Sequence, residues 1–127
     1  MNSLRRDVLV EHKIQVSNSE LDVLKFIWRY EPVTCGLITH GMQERNSWHP
    51  STTKTLIRRL LDKNVITFNT SKNQRYYTSL IKKQEFLETE IQRLLSGMDE
   101  GCISEVSYYL NGLVKRSDTE EFNDFKI

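Results

Sequence analysis

The sequence predicts a mainly α, α+β chain: three helices and a β-hairpin in its first two thirds, then a helical arm. Three observations carry this reading. Apolar residues recur at helical spacing in segments ending near Tyr30, Asn46 and Asp62. Two runs rich in β-branched and aromatic residues flank the turn-like Ser71-Lys72-Asn73. From Lys82 onward a four-and-three apolar spacing sets in. With 127 residues, 38% apolar and 28% charged, the chain has the length and composition of one folded domain carrying an appendage.

Residues 1–15 lack periodicity and read as an N-terminal arm. The first helix opens at Ser17, with Glu20 three residues later completing a capping-box pattern. Leu21, Leu24, Ile27 and Trp28 form its apolar stripe, and Glu31-Pro32 stops it because the residue before proline is driven out of the α region. Val33-Thr34 is short and extended. Thr34 suits the N-cap of a second helix that carries Leu37, Ile38 and Met42 inward. After the polar break Glu44-Arg45-Asn46-Ser47, Pro50 fits the first turn of a third helix, with His49 or a neighbour as its cap.

The third helix holds the chemistry. At 100° per residue, Thr53, Leu56, Ile57, Leu60 and Leu61 share one side. Ser51, Thr55, Arg58 and Arg59 face the other way, flanked by Thr52 and Lys54, and no carboxylate joins them before Asp62. Hydroxyls and guanidiniums without acids suit a DNA major groove, where arginine binds guanine through two hydrogen bonds and serine or threonine reaches bases and phosphates. An ordinary solvated face would mix Glu with Lys for ion pairing along the helix.

Asn64 reads as the C-cap, followed by strands over Val65–Thr70 and Gln74–Ser79. Their hairpin puts Lys72 and Arg75 near its tip, placed to touch phosphates. Helix, helix, basic helix, basic hairpin is the order of a winged helix-turn-helix. Net charge agrees: residues 1–79 carry 12 Lys/Arg and 7 Asp/Glu, a net of +5, and residues 80–127 carry 6 and 10, a net of −4. The basic part suits a polyanion and the acidic part a role away from it.

In the acidic part, Leu87, Ile91, Leu94 and Met98 follow an alternating four-and-three spacing, Gly97 and Gly101 break the chain, and Ile103, Val106, Leu110 and Leu113 repeat the spacing. Two amphipathic helices with no wide core of their own must bury these stripes, and a second copy is the expected cover. The tail Ser117–Phe122 starts like one more capped helix. The organisation expected is thus 1–15 as arm, 16–80 as winged DNA-binding domain and 81–127 as helical dimerisation region.

Other chemistries find little. His12, His40 and His49 are scattered without metal partners, Cys35 and Cys102 form no close pair, and neither a metal nor a cofactor is expected. There is no Gly-rich phosphate loop, no Ser-His-Asp order and no inward carboxylate pair, so an enzyme is not expected. No apolar run nears the roughly 20 residues of a membrane span, and the N-terminus has no signal-peptide core. A cytoplasmic protein is expected. Trp28 reads as core, and Trp48 as an anchor for the third helix.

With these elements in place, Ser19-Glu20-Leu21-Asp22-Val23-Leu24-Lys25-Phe26-Ile27-Trp28 resembles the first-helix signature of the penicillinase-repressor family, which includes the β-lactamase repressors and the CopY-type copper-responsive repressors. Trp48-His49-Pro50-Ser51-Thr52-Thr53-Lys54-Thr55-Leu56-Ile57-Arg58-Arg59-Leu60 is similar to its recognition-helix motif, in a form closer to the CopY-type branch. Tyr76-Tyr77 followed by Ser79 resembles its wing, and the likeness runs from about Val16 to Leu113. It implies a homodimeric repressor on a palindromic promoter operator of double-stranded DNA, released by a signal, in an operon of the copper-homeostasis or β-lactam-resistance type. The release devices differ. Copper-sensing members carry C-terminal Cys-x-Cys pairs, but Leu113–Ile127 has no cysteine, and Cys102 alone cannot make such a ligand set. Where β-lactamase repressors are cut at an Asn-Phe bond, the nearest counterpart here is Asn111-Gly112. The inducing signal stays open. The other class compatible with the fold is a protein-interaction module, an antirepressor or heterodimer partner, but such a module has no reason to exclude acids from the third helix.

Overall fold

A computed structural model describes residues 15–116; the expected arm up to residue 14, with His12, and the capped segment Ser117–Phe122 lie outside the described residues. Helix α1 (Asn18–Tyr30) begins as its sequence dictates. The Ser17 hydroxyl accepts from the Glu20 amide at 3.1 Å, and the Glu20 carboxylate accepts from the Ser17 amide at 2.8 Å. Its most buried residues include Val23, Leu24, Phe26 and Ile27, while Leu21 and Trp28 are half-buried at the edges. The helix stops at Glu31, as expected.

Strand β1 (Val33–Thr34) leads into α2 (Cys35–Asn46), whose N-cap Thr34 accepts from the Leu37 amide at 3.2 Å. Leu37 corrects the expectation that it points inward: it is 57% exposed. The buried stripe is Ile38, Gly41 and Met42. Leu37, one residue before Ile38, falls about 100° off that stripe. Gly41 lies against the Phe26 ring so closely that a Cβ there would collide with it.

Helix α3 (Pro50–Asp62) starts from the cap His49 with Pro50 in its first turn, and buries Thr53, Leu56, Ile57 and Leu60. Lys63 is its C-cap; Asn64, expected in that place, sits one residue beyond with φ 59°, a left-handed position that asparagine tolerates. The chain then enters β2 (Ile66–Ser71) and β3 (Gln74–Ser79). Ser71 pairs with Gln74, and Lys72 and Asn73 between them have φ 52° and 64°. Two central residues with positive φ are the backbone of a type I′ hairpin turn. The sheet order is β1-β3-β2, with Val33 opposite Tyr77.

The core joins Val23, Leu24, Ile27, Ile38, Met42, Leu60, Val65 and Ile66, all nearly inaccessible, to Val33 and Tyr77 of the sheet. It continues into Ile81 and into Phe86 of α4 (Lys83–Leu95). Trp28 fastens this end: its indole N–H lies 3.0 Å from Ser79 Oγ and 2.9 Å from the Ile81 carbonyl, and its ring lies 5.7 Å from that of Phe86. The arrangement is a winged helix-turn-helix, mainly helical with a small antiparallel sheet.

The chain divides into two units between Thr89 and Glu90. The second holds the end of α4, a turn with Gly97 at φ 83°, and α5 (Glu100–Arg116). Asp99 caps α5 by accepting from the Cys102 amide at 2.9 Å, and that bond holds the Asp99 carboxyl below its ordinary value. Gly101, expected to break the chain with Gly97, lies inside α5, because the Asp99 cap starts the helix before it. No residue of α5 is buried.

Candidate nucleic-acid interface

The outward face of α3 is built by two local decisions. Pro50 and the His49 cap set where the helix starts, and the inward series Thr53, Leu56, Ile57 and Leu60 sets its rotation. Leu61 packs partly against the same core, and Ser51, Thr52, Lys54, Thr55, Arg58 and Arg59 are all turned to solvent. Among the described residues no carboxylate pairs with Lys54, Arg58 or Arg59. Trp48 is half-buried against the core just ahead of the helix.

One cation of the same stretch is withdrawn from this face. Lys63 Nζ lies 2.7 Å from Glu20 Oε1 and 2.7 Å from the Gln15 carbonyl. Glu20 is only 2% exposed. Burial pushes its carboxyl up, but the Lys63 ammonium and the Ser17 hydrogen bonds outweigh that and hold it below the ordinary glutamate value. The capping residue of α1 is thus also the anchor for the end of α3, which sequence spacing alone does not reveal.

In the wing, Lys72 is exposed in the tip turn. Arg75 is exposed one pair from the turn, opposite Thr70, and its guanidinium lies 4.3 Å over the Phe68 ring, a cation–π contact that lays the side chain along β2. Phe68 in turn meets Tyr77 across the hairpin at 5.7 Å. Two further arginines stand on α1 and α2, outside the expected set. Arg29 stacks over Tyr30 at 5.8 Å and Arg45 over Phe26 at 5.1 Å. Hydrogen bonding from Arg29, with a smaller contribution from Arg45, holds the Tyr30 phenol below its ordinary value. No local motif marks this pair, because the two helices meet only in the fold.

Two outward hydroxyls of α3, those of Ser51 and Thr55, are engaged within the chain. The Ser51 amide lies 3.1 Å from His49 Nδ1, and Ser51 Oγ lies 2.8 Å from the same nitrogen. Thr55 Oγ1 donates to the Ser51 carbonyl at 3.0 Å. Thr53 Oγ1 is buried with no partner. Among the described residues no group of three His, Cys, Asp or Glu is placed to hold a metal ion, and no helix is long and apolar enough to cross a membrane.

The family model described as penicillinase repressor matches residues 16–122. The penicillinase repressor of Bacillus licheniformis is 25% identical over 111 residues, 87% of this chain and 85% of that protein. That of Staphylococcus aureus is 26% identical over 120 residues, 91% and 94% of the two chains. Among solved structures, the monomeric form of Bacillus licheniformis BlaI in complex with the blaP half-operator aligns with a TM-score of 0.51 at 25% identity, over 56% of this chain and 87% of that one.

Proposed function

The chain belongs to the penicillinase repressor family, DNA-binding transcriptional repressors and not enzymes, and from that premise we propose that it represses as a homodimer on a palindromic promoter operator and is released by a cellular signal. The observation that carries this reading is the exposed face of α3, where Lys54, Arg58 and Arg59 stand beside three hydroxyl residues with no acid among the described residues paired to them. Arg58 and Arg59 supply donors for guanine O6 and N7, Ser51, Thr52 and Thr55 face the groove beside them, and Lys54, Lys72 and Arg75 neutralise backbone phosphates. The half-operator bound by the Bacillus licheniformis relative supports recognition by half-sites, one per subunit.

Homodimerisation is supported by the apolar series of α4, the turn after it and α5. Leu87, Ile91, Leu94, Met98, Ile103, Leu110 and Leu113 are exposed and Val106 is only half-buried. A second copy would cover this apolar series and bring two α3 helices to one inverted repeat. The test is a gel-shift series on the promoter DNA. Arg58→Ala and Arg59→Ala lose roughly 1–3 kcal/mol of discrimination between operator and random duplex, whereas Lys72→Ala weakens both about equally and lowers the salt slope by about one. Unchanged affinity in all three variants would remove α3 and the wing as the DNA-binding face.

A further inference from the structure

Resting on the DNA-binding reading above, we infer that the first turns of α3 read exocyclic amino groups: Ser51 and Thr55 offer the groove hydrogen-bond acceptors only, and so select adenine or cytosine about two base-pair steps apart. The argument is a count of protons. A backbone amide can only donate, so the Ser51 N–H that points at His49 Nδ1 from 3.1 Å requires a lone pair on that nitrogen. Nδ1 therefore carries no proton. Ser51 Oγ, 2.8 Å from the same Nδ1, can then only donate in that contact, sharing the nitrogen's single lone pair with the amide. A serine hydroxyl has one proton and two lone pairs, and the proton is taken.

Thr55 repeats the pattern independently. Its hydroxyl donates to the Ser51 carbonyl one turn back, at 3.0 Å. That carbonyl lies in the helix and has no proton to return. Both residues are exposed on the outward face, so what remains for a base edge is lone pairs. In the major groove adenine N6 and cytosine N4 are the amino donors, whereas guanine presents only acceptors there, and thymine an acceptor and a methyl group. Four residues of helix rise about 6 Å, and base pairs are spaced about 3.4 Å, which sets the interval of roughly two steps.

Between and beyond these two the polarity reverses. Lys54, Arg58 and Arg59 are pure donors and suit guanine and phosphate oxygens. His49 completes the N-terminal end: with Nδ1 as acceptor, its proton sits on Nε2, a donor for a phosphate beside the groove. Ser51 and Thr55 are thus acceptors set among donors, a division that residue types alone do not specify, since serine and threonine can play either part.

The test begins with the full-length chain and a pool of randomised duplexes. The expected product carries adenine or cytosine at two positions about two steps apart. Replacing each by its analogue without the amino group, purine for adenine or pyrimidinone for cytosine, lowers wild-type affinity about three- to tenfold. The same replacement has no further effect on Ser51→Ala at one position and on Thr55→Val at the other. Guanine or thymine enriched at both positions, or indifference to the missing amino groups while Arg58→Ala still weakens binding, overturns the inference and leaves the DNA-binding reading standing. A pool with no enriched duplex overturns both. Nitrogen NMR of the free protein checks the first step on its own: a proton found on His49 Nδ1 defeats the assignment of Ser51.

Discussion

The winged unit and the α4–α5 arm carry similar fractions of apolar residues and use them in opposite ways. In the first, Leu24, Ile27, Ile38, Leu60 and Val65 are wholly inaccessible, and three helices and a sheet close over them. In the second, Leu94, Leu110 and Leu113 are each more than half exposed, and α5 buries nothing. Burying an apolar side chain is worth roughly 1.5–3 kcal/mol relative to leaving it in water. The first unit has collected that gain within one chain and the second has not. On the proposed reading, this difference separates reading from assembly: the face offered to DNA would rest on a self-sufficient core, and a second copy would cover the apolar surface of the arm.

The sharpest test of this contrast is the same kind of injury made in both places. Leu60→Ala, on the inward side of α3, is expected to cost about 2–5 kcal/mol in denaturant unfolding, because the rigid surroundings leave a cavity. Operator binding should fail with it, since Leu60 helps to set the rotation of Arg58 and Arg59. Leu110→Asp in α5 is expected to leave the dispersed NMR spectrum of the winged unit intact and to turn a sedimenting dimer into a monomer. Its operator affinity then drops because two half-sites are no longer bound together. A wild-type chain that sediments as a monomer at high concentration would erase the contrast.

A smaller effect separates local from long-range design inside the winged unit. Lys63→Met keeps the aliphatic stem and removes the charge that neutralises Glu20, leaving a buried carboxylate supported by Ser17 alone. The expected loss is about 1–3 kcal/mol at neutral pH. Its sign with pH follows from the shift. Glu20 is held below its ordinary value in the folded chain, so its contribution is complete above the unfolded-state pKa and is lost as pH falls through the folded one. Wild type should therefore lose its advantage over Lys63→Met on acidification. A gap that stays constant from neutral to strongly acidic pH in thermal unfolding would show that the ammonium does not act through Glu20.

What could be read from the sequence was what neighbouring residues decide. The Ser17–Glu20 box, the Thr34 cap, the stop at Glu31-Pro32 and the start at Pro50 all depend on a few adjacent positions, and each lies where expected. The exposed series Ser51, Thr52, Lys54, Thr55, Arg58 and Arg59 follows from helical periodicity alone. Contacts over long separations were not legible. Glu20 reads as a cap and nothing more until Lys63, 43 residues on, is folded against it. Val33-Thr34 reads as extended, but its place beside β3 depends on Tyr76 and Tyr77. Arg75 reads as a cation near the hairpin tip, and its contact with the Phe68 ring across the strand pair depends on the register of β2 and β3. Leu37 shows the limit of short stripes: in a helix of three turns, one apolar residue beside Ile38 is too little to fix which of the two faces in.

The smallest expected effect is a gain. Thr53 lies at the centre of the inward side of α3, fully buried, and its hydroxyl has no partner. Thr55, two residues later, donates its hydroxyl to a carbonyl one turn back, whereas Thr53 does not. An unsatisfied buried hydroxyl carries a desolvation cost of about 1–3 kcal/mol. Thr53→Val keeps the branched shape and nearly the same helix propensity while removing that cost. Stability should rise by about 1 kcal/mol in urea unfolding, with the outward face and operator affinity unchanged. A fall in stability would mean that the hydroxyl is hydrogen-bonded after all, through a buried water of the kind that polar core sites hold. A gain in stability with altered operator affinity would instead mean that α3 is not held rigidly by its core. In that case the separation of a fixed reading surface from an unfinished assembly surface would fail at its first term.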